Sequence, residues 1–269
     1  MMFRPRDSHD LRLLETSLTI APAAEVRWLH DVFGNSIGIA RFGDDVAAAE
    51  LTFQSVFRAE HYPVEPEKFT VEAYARELPF NYSAAEVADL GRTAERHYPD
   101  PEHHVDRWTK SFVGAAAGVE TLAVLEAITH AVKHEFEYLR REEIGVQPPV
   151  ETLQKRSGSC RDFTLLFMEA ARSLGLAARF VSGYLYDEKL VAAGSNVVGS
   201  GSTHAWAQIY LPGAGWVEFD PTNAVIGGRN LIRVAVARDA AQAVPLSGSY
   251  VGAPADYSGM EVDVRVSVS

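Results

Sequence analysis

Along the first sixty residues, apolar positions alternate with polar or small ones. Leu18 and Ile20, then Val26 and Trp28, have the period of two that marks half-buried strands. Asp31-Val32-Phe33-Gly34-Asn35 reads as a turn between two such runs. The pattern resumes from Val46 to Phe57. Residues 1–62 are therefore expected to form a small antiparallel sheet or half-sandwich, one that starts abruptly, as if its first strand were absent. His61-Tyr62-Pro63-Val64-Glu65-Pro66 breaks the alternation and predicts a linker. Residues 67–112 are polar and aromatic, and Pro79, Pro99 and Pro101 limit them to short helices. The organisation read from these patterns is an N-terminal β-domain over 1–62, linker and short helices over 63–118, and a core over 119–269.

From Val119 to about Glu143 the period changes to that of a helix, with Leu122, Leu125, Ile128, Val132, Phe136 and Leu139 on one face. Gly145 to Pro149 ends it, and Val150 to Ser159 reads as a loop. A second helix is predicted from Cys160 to about Leu174, with Phe163, Leu166, Phe167, Ala170 and Leu174 inward and Gly175 as its stop. Three strands follow at Ala178–Tyr186, Thr203–Leu211 and Trp216–Phe219. Between the first two, the glycine-rich stretch Gly194–Gly201 reads as a flexible loop and a candidate lid. Asn230–Ala237 and the alternating valines of Glu261–Ser269 are the last strand-like runs.

Composition narrows the classes of function. The chain has 269 residues, is 47% hydrophobic and 23% charged, and carries a formal net charge of −11. That is an ordinary globular composition. A nucleic-acid groove needs surplus Lys and Arg, so no nucleic-acid partner is expected, and an acidic surface likewise disfavours anionic membranes. The opening residues Met1-Met2-Phe3-Arg4-Pro5-Arg6-Asp7 lack the pattern of a signal peptide, so the expected location is the cytoplasm. No phosphate loop, dinucleotide fingerprint or calcium loop is present, and no cofactor or metal is expected. His130 and His134 lie one helical turn apart, but Ala131-Val132-Lys133 between them excludes the His-Glu-x-x-His pattern. They read as a wet helix face, and His103-His104 as solvated surface.

Cys160 is the only cysteine. A lone cysteine is usually a small buried hydrophobe, and becomes a candidate nucleophile only where a His and an Asp or Asn can serve it. In Ser157-Gly158-Ser159-Cys160-Arg161-Asp162, Ser159 followed three residues on by Asp162 has the form of a capping box. That puts Cys160 in the first turn of a helix, where unpaired N–H groups and the dipole favour a negative sulfur and can cradle an oxyanion. In Thr203-His204-Ala205-Trp206-Ala207-Gln208-Ile209-Tyr210, alternation puts His204, Trp206, Gln208 and Tyr210 on one face. The turn Pro212-Gly213-Ala214-Gly215 then makes a hairpin with Trp216-Val217-Glu218-Phe219-Asp220. With the turn centred near Gly213, Asp220 falls beside His204 and can orient its imidazole. Glu218 shares that face and is a weaker candidate for the same role.

These three blocks, in this order, and Gly-Trp-Val-Glu-Phe-Asp-Pro-Thr-Asn in particular, resemble the core of bacterial transglutaminase-like proteins. Phe3–Asp7 and Asp31–Asn35 are similar to the β-domain that often precedes that core. The resemblance implies an α+β fold, a papain-like transglutaminase core with a Cys helix packed on an antiparallel sheet, preceded by a small β-sandwich-like domain. It also implies that Cys160 is the nucleophile, His204 the general base and Asp220 its orienting carboxylate. The sequence departs from relatives at Arg161, where Gln or Trp is common. Gln154 has the spacing of a papain-like oxyanion donor, but the backbone N–H of Cys160 is the better one. The expected activity is acyl transfer through a thioester on a peptide or protein substrate, with hydrolysis favoured. A protein-glutamine transamidase and a non-catalytic interaction module are the alternatives.

Overall fold

A computed structural model describes residues 1–114, 118–141, 145–186 and 203–267. The candidate lid, Gly194–Gly201, lies outside the described residues. Four strands build the N-terminal part: β1 (Leu11–Ala21), β2 (Glu25–His30), β3 (Ser36–Arg41) and β4 (Thr52–His61). They form two separate antiparallel ribbons, β1 with β4 and β2 with β3, rather than one sheet. The turn expected at Asp31–Asn35 is present. The Asp31 carboxylate accepts from the Phe33 and Asn35 N–H groups at 2.9 and 2.8 Å, and Gly34 takes φ +75°. The strand expected from Val46 begins only at Thr52, because Val46 is 40% exposed and has no face to bury.

The middle of the chain carries β5 (Glu77–Leu78), α1 (Ala84–Leu90), α2 (His104–Val113), β6 (Val119–Glu120), α3 (Thr121–Glu135), β7 (Glu137–Tyr138), α4 (Pro149–Lys155) and β8 (Ser157–Gly158). The short helices foreseen after residue 66 are there. Two expectations fail. The helix beginning near Val119 ends at Glu135, eight residues early. Phe136 turns to extended backbone, packs its ring edge-on to Phe163 and starts β7, which pairs in parallel with β8, while Leu139 is left 44% exposed. The stretch from Val150, read as a loop, contains α4, which Pro149 starts from the first helical position. Seven residues are too few for its periodicity to stand out.

The helix α5 (Cys160–Ser173) follows, then β9 (Ala178–Leu185), β10 (His204–Leu211), β11 (Gly215–Asp220), β12 (Val225–Ile226) and β13 (Leu231–Ala237). The last five make one antiparallel sheet in the order β12-β11-β10-β9-β13. α5 begins where Asp162 turns back to accept from the N–H and hydroxyl of Ser159, both at 2.8 Å, and Gly175 closes it at φ +82°. Its Glu169 and Arg172 are buried but paired to each other at 2.9 Å, so the helix tolerates burial on nearly every side. α5 packs on β9 and β10, and α2, α3 and α4 surround it.

Alternation along β10 separates two cores, as expected. Ala205, Ala207, Ile209 and Leu211 join the cluster around α5, whereas Trp206 sits across the sheet with Val181, Leu185, Leu231 and Val236. The N-terminal part covers that second face. Asn35 clamps β13, its Nδ2 donating to the Val236 carbonyl at 2.6 Å and its Oδ1 accepting from the Val236 N–H at 2.8 Å. The described part of the alternating tail does not become a strand. Residues 261–267 pair with no described strand, and Val262 is 41% exposed, because period two supplies a face but not a partner edge. No helix among the described residues is long and apolar enough to cross a membrane.

Candidate active site

Cys160 is the first residue of α5, and the first intrahelical backbone bond is the one from Phe163 N–H to Ser159 C=O. The Cys160 N–H therefore stands above the ladder, as the first turn of any helix requires. The segment before it is held by Asp162. This fully buried carboxylate accepts from the Ser159 N–H and hydroxyl, from the Gln147 N–H at 2.6 Å and from Arg141 Nη1 at 2.8 Å. One side chain thus ties the helix start to Arg141 and Gln147. Gly158 runs close beneath; a Cβ there would lie 2.9 Å from that of Asp162.

His204 opens β10 and is 1% exposed; Asp220 closes β11 and is wholly buried. Their side chains meet at 2.8 Å, Nε2 to Oδ2. The hairpin register pairs Ala207 with Phe219 and Gln208 with Glu218, so one more step sets Asp220 opposite Trp206 and diagonal to His204. Asp220 also accepts from Thr222 N–H at 2.9 Å, from Asn223 N–H at 3.3 Å and from Asn223 Nδ2 at 2.8 Å. Burial by itself would raise the Asp220 pKa, but His204 and these donors outweigh it and the carboxyl is held below its usual value. Burial would likewise depress the imidazole. Asp220, with Cys160 adding to its effect, instead lifts His204 to about 10.

A carboxylate can only accept, so Nε2 carries the proton of the Asp220 bond. Asn223 Nδ2, 3.4 Å from the same nitrogen, is then a neighbour of that bond and not a second donor to it. Nδ1 is buried and has no hydrogen-bond partner among the described residues. A buried polar atom left without a partner calls for a reason, and catalysis is one. Trp206 lies beneath the imidazole, the ring centroids 6.0 Å apart and 28° from parallel.

Glu218, the second carboxylate of this face, is bound elsewhere. It accepts from Trp206 Nε1, from Gln208 Nε2 at 2.6 Å and from Arg233 Nη1 at 2.7 Å. Gln154 is exposed on α4. The buried amide near the helix start is that of Gln147, which donates to Thr152 Oγ1 and the Ser157 carbonyl, both at 3.0 Å. Sequence reasoning passed over Asn223, although it ends the Asp-Pro-Thr-Asn run already singled out. It also passed over Tyr138, whose half-buried phenol is pushed up to about 12 by burial and then by the nearby Cys160. His103 and His104 pair with Asp106 and Glu102 near the surface, and His130 stacks on His134. No group of three metal-ligating side chains occurs among the described residues.

Residues 108–221 match the transglutaminase-like superfamily core, and residues 1–60 match the bacterial transglutaminase-like N-terminal region. The chain belongs to the transglutaminase-like superfamily. Cys160, His204 and Asp220 all fall inside the matched core. An uncharacterised protein of Mycobacterium leprae is 36% identical over 120 residues, 45% of this chain and 40% of that protein's own length. The Pseudomonas aeruginosa protein-glutamine gamma-glutamyltransferase is 34% identical over 70 residues, 26% of this chain and 10% of that enzyme. Among solved structures, a proposed cysteine protease from Cytophaga hutchinsonii superposes with a TM-score of 0.64 at 19% identity, covering 90% of this chain and 76% of that one. At that identity the likeness is one of fold, the papain-like transglutaminase architecture.

Proposed function

We propose that this transglutaminase-like protein is an enzyme that hydrolyses peptide or isopeptide amide bonds through a thioester on Cys160. The observation that carries the reading is the state of His204: Nε2 held by Asp220, Nδ1 buried without a partner, and Cys160 acting on the same ring. Nδ1 takes the thiol proton, a transfer that the raised basicity of the imidazole favours. The sulfur attacks the amide carbonyl, and the Cys160 backbone N–H stabilises the oxyanion. The imidazolium returns the proton to the departing amine as the C–N bond breaks, which leaves a thioester. Water, deprotonated by His204, then releases the acid. A structural module would need none of the three groups, and their arrangement supports catalysis over that role.

Transamidation differs only in the last nucleophile, an amine in place of water. The similarity to the Pseudomonas transferase keeps it as a second reading. Incubating the protein with a peptide library, with and without a primary amine, and reading the products by mass spectrometry separates the two. Amine-independent cleavage that Cys160→Ala abolishes is the expected result. Amine incorporated at glutamine, without cleavage, would establish the transferase instead, and no product under either condition would refute both.

A further inference from the structure

We propose that the cavity between the N-terminal segment and the outer face of the five-stranded sheet binds a small oxyanion, a carboxylate or phosphate group, on Arg179 and Arg6. The cavity is about 190 Å³, and Arg6, Asp10, Asn35, His61, Arg179 and Arg233 are among its walls. Sites for drug-sized molecules begin near ~300 Å³, so this one suits a single small group.

The charges on its walls do not balance. Asp10 is the only carboxylate among the lining residues, against three arginines, in a chain whose net charge is −11. Asp10 is fully engaged by Arg233, whose Nη2 reaches both of its oxygens at 2.8 and 3.0 Å. Arg233 Nη1 in turn holds Glu218 at 2.7 Å, and Glu218 also accepts from Trp206 and Gln208. Neither Arg179 nor Arg6 makes an ion pair with any described residue, and Glu218, the carboxylate that acts on Arg179, is in contact with Arg233 instead.

Arg179 has the geometry of a receptor. It sits on β9, opposite Gln208, and its Nε donates to Gln208 Oε1 at 2.5 Å. Its Cζ lies over the Trp216 ring, 4.1 Å from the centroid. One edge is therefore tied and one face stacked, while the fork that pairs with planar or tetrahedral oxyanions is held ready. Burial draws its pKa down to about 9, with the pull of Glu218 opposed by Arg233 and Arg6, so it remains a cation at neutral pH, partly desolvated and with no carboxylate in contact. Such a group is costly unless an anion joins it. Arg6, exposed at the rim, packs against Gly34, whose φ of +75° and missing Cβ make the room.

The test is calorimetric titration of the full chain with inorganic phosphate and, separately, with succinate, each against sodium chloride at equal ionic strength. Saturable binding of either anion is expected; the one that binds identifies the source, and binding of both means the site reads only the shared oxyanion. Arg179→Met should weaken binding by about tenfold or more, the loss of a charge-assisted bidentate contact, and Arg179→Lys should restore it only in part. If Arg179→Met fails to fold, Arg6→Met on the exposed rim carries the test, with weakening again expected. The proposal is overturned by heats no different from those of chloride, or by affinity unchanged in the folded variants.

Discussion

The imidazole of His204 meets Asp220 through Nε2, at 2.8 Å, which leaves Nδ1 as the ring nitrogen without a hydrogen-bond partner among the described residues. The order of the nitrogens matters. In the serine-protease arrangement the carboxylate holds Nδ1 and Nε2 faces the nucleophile; here the two are exchanged. The reason is geometric. Asp220 lies diagonally across the β10–β11 ladder, at the end of β11, so the outer ring nitrogen reaches it and the inner one remains near the backbone.

Alkylation of Cys160 by iodoacetamide should be slowed by about tenfold or more at neutral pH in His204→Ala, because no base then removes the thiol proton. Rates are read by mass spectrometry of the modified peptide. Equal rates in the two proteins would mean that Nδ1 does not serve the sulfur.

Asp220→Asn should leave circular dichroism unchanged and lower turnover by about 10⁴, the cost of offering the imidazole the wrong hydrogen-bonding group. Asn223→Ala removes one donor to a charged acceptor, about 1.5–3 kcal/mol, and should cost less than Asp220→Asn. Activity of Asp220→Asn within a few-fold of wild type would show that the carboxylate is dispensable.

The pKa of His204 is raised on folding, to about 10. Protonation of this side chain therefore stabilises the folded protein fully below the unfolded value of about 6.5, and the contribution is lost as pH rises towards 10. Asp220 is shifted the opposite way, so its contribution is present above about pH 4 and lost as pH falls. Melting temperature against pH should fall on the alkaline side in wild type and flatten there in Asp220→Asn. A variant that keeps the wild-type alkaline slope would assign that slope to other groups.

How much of this was legible in the chain depends on the range of the cause. Ser159 and Asp162 announce the start of α5 because capping is a contact across three residues, and the hairpin turn near Gly213 places Asp220 beside His204 by counting along two adjacent strands. Gln147 and Arg141 were not foreseen as partners of Asp162, since they come from 15 and 21 residues away and meet it only after folding. Asp162→Ala should accordingly destabilise by about 3 kcal/mol, more than a lost cap alone, because a buried acceptor of several bonds goes with it. Denaturant unfolding measures it; a loss under about 1 kcal/mol would reduce Asp162 to an ordinary cap.

Gly183 pairs with His204 across the sheet, and a Cβ there would come within 2.2 Å of the Ile232 carbonyl oxygen and 2.5 Å of the Trp206 ring. Gly183→Ala should cost about 1–3 kcal/mol by overpacking and lower the proposed activity as well, since Trp206 underlies the imidazole. Unchanged stability and activity would show that the ring has room to move.

From its residues alone this protein specified the Cys helix and its cap, the order of the strands along the chain, the two faces of β10 and the pairing of His204 with Asp220 at its end. Those are local properties, set by periodicity, by turns and by residues within a few positions of one another. Tertiary structure decided the rest. It stopped α3 at Glu135 because Phe136 had a place in the core, and it made a helix of the stretch after Pro149. It left Val262, Val264 and Val266 without a strand partner among the described residues and bound Glu218 to Arg233 rather than to His204. Each of these turned on whether a partner surface was there to receive the side chain or the strand edge, and partners tens to hundreds of residues away leave no period in the sequence.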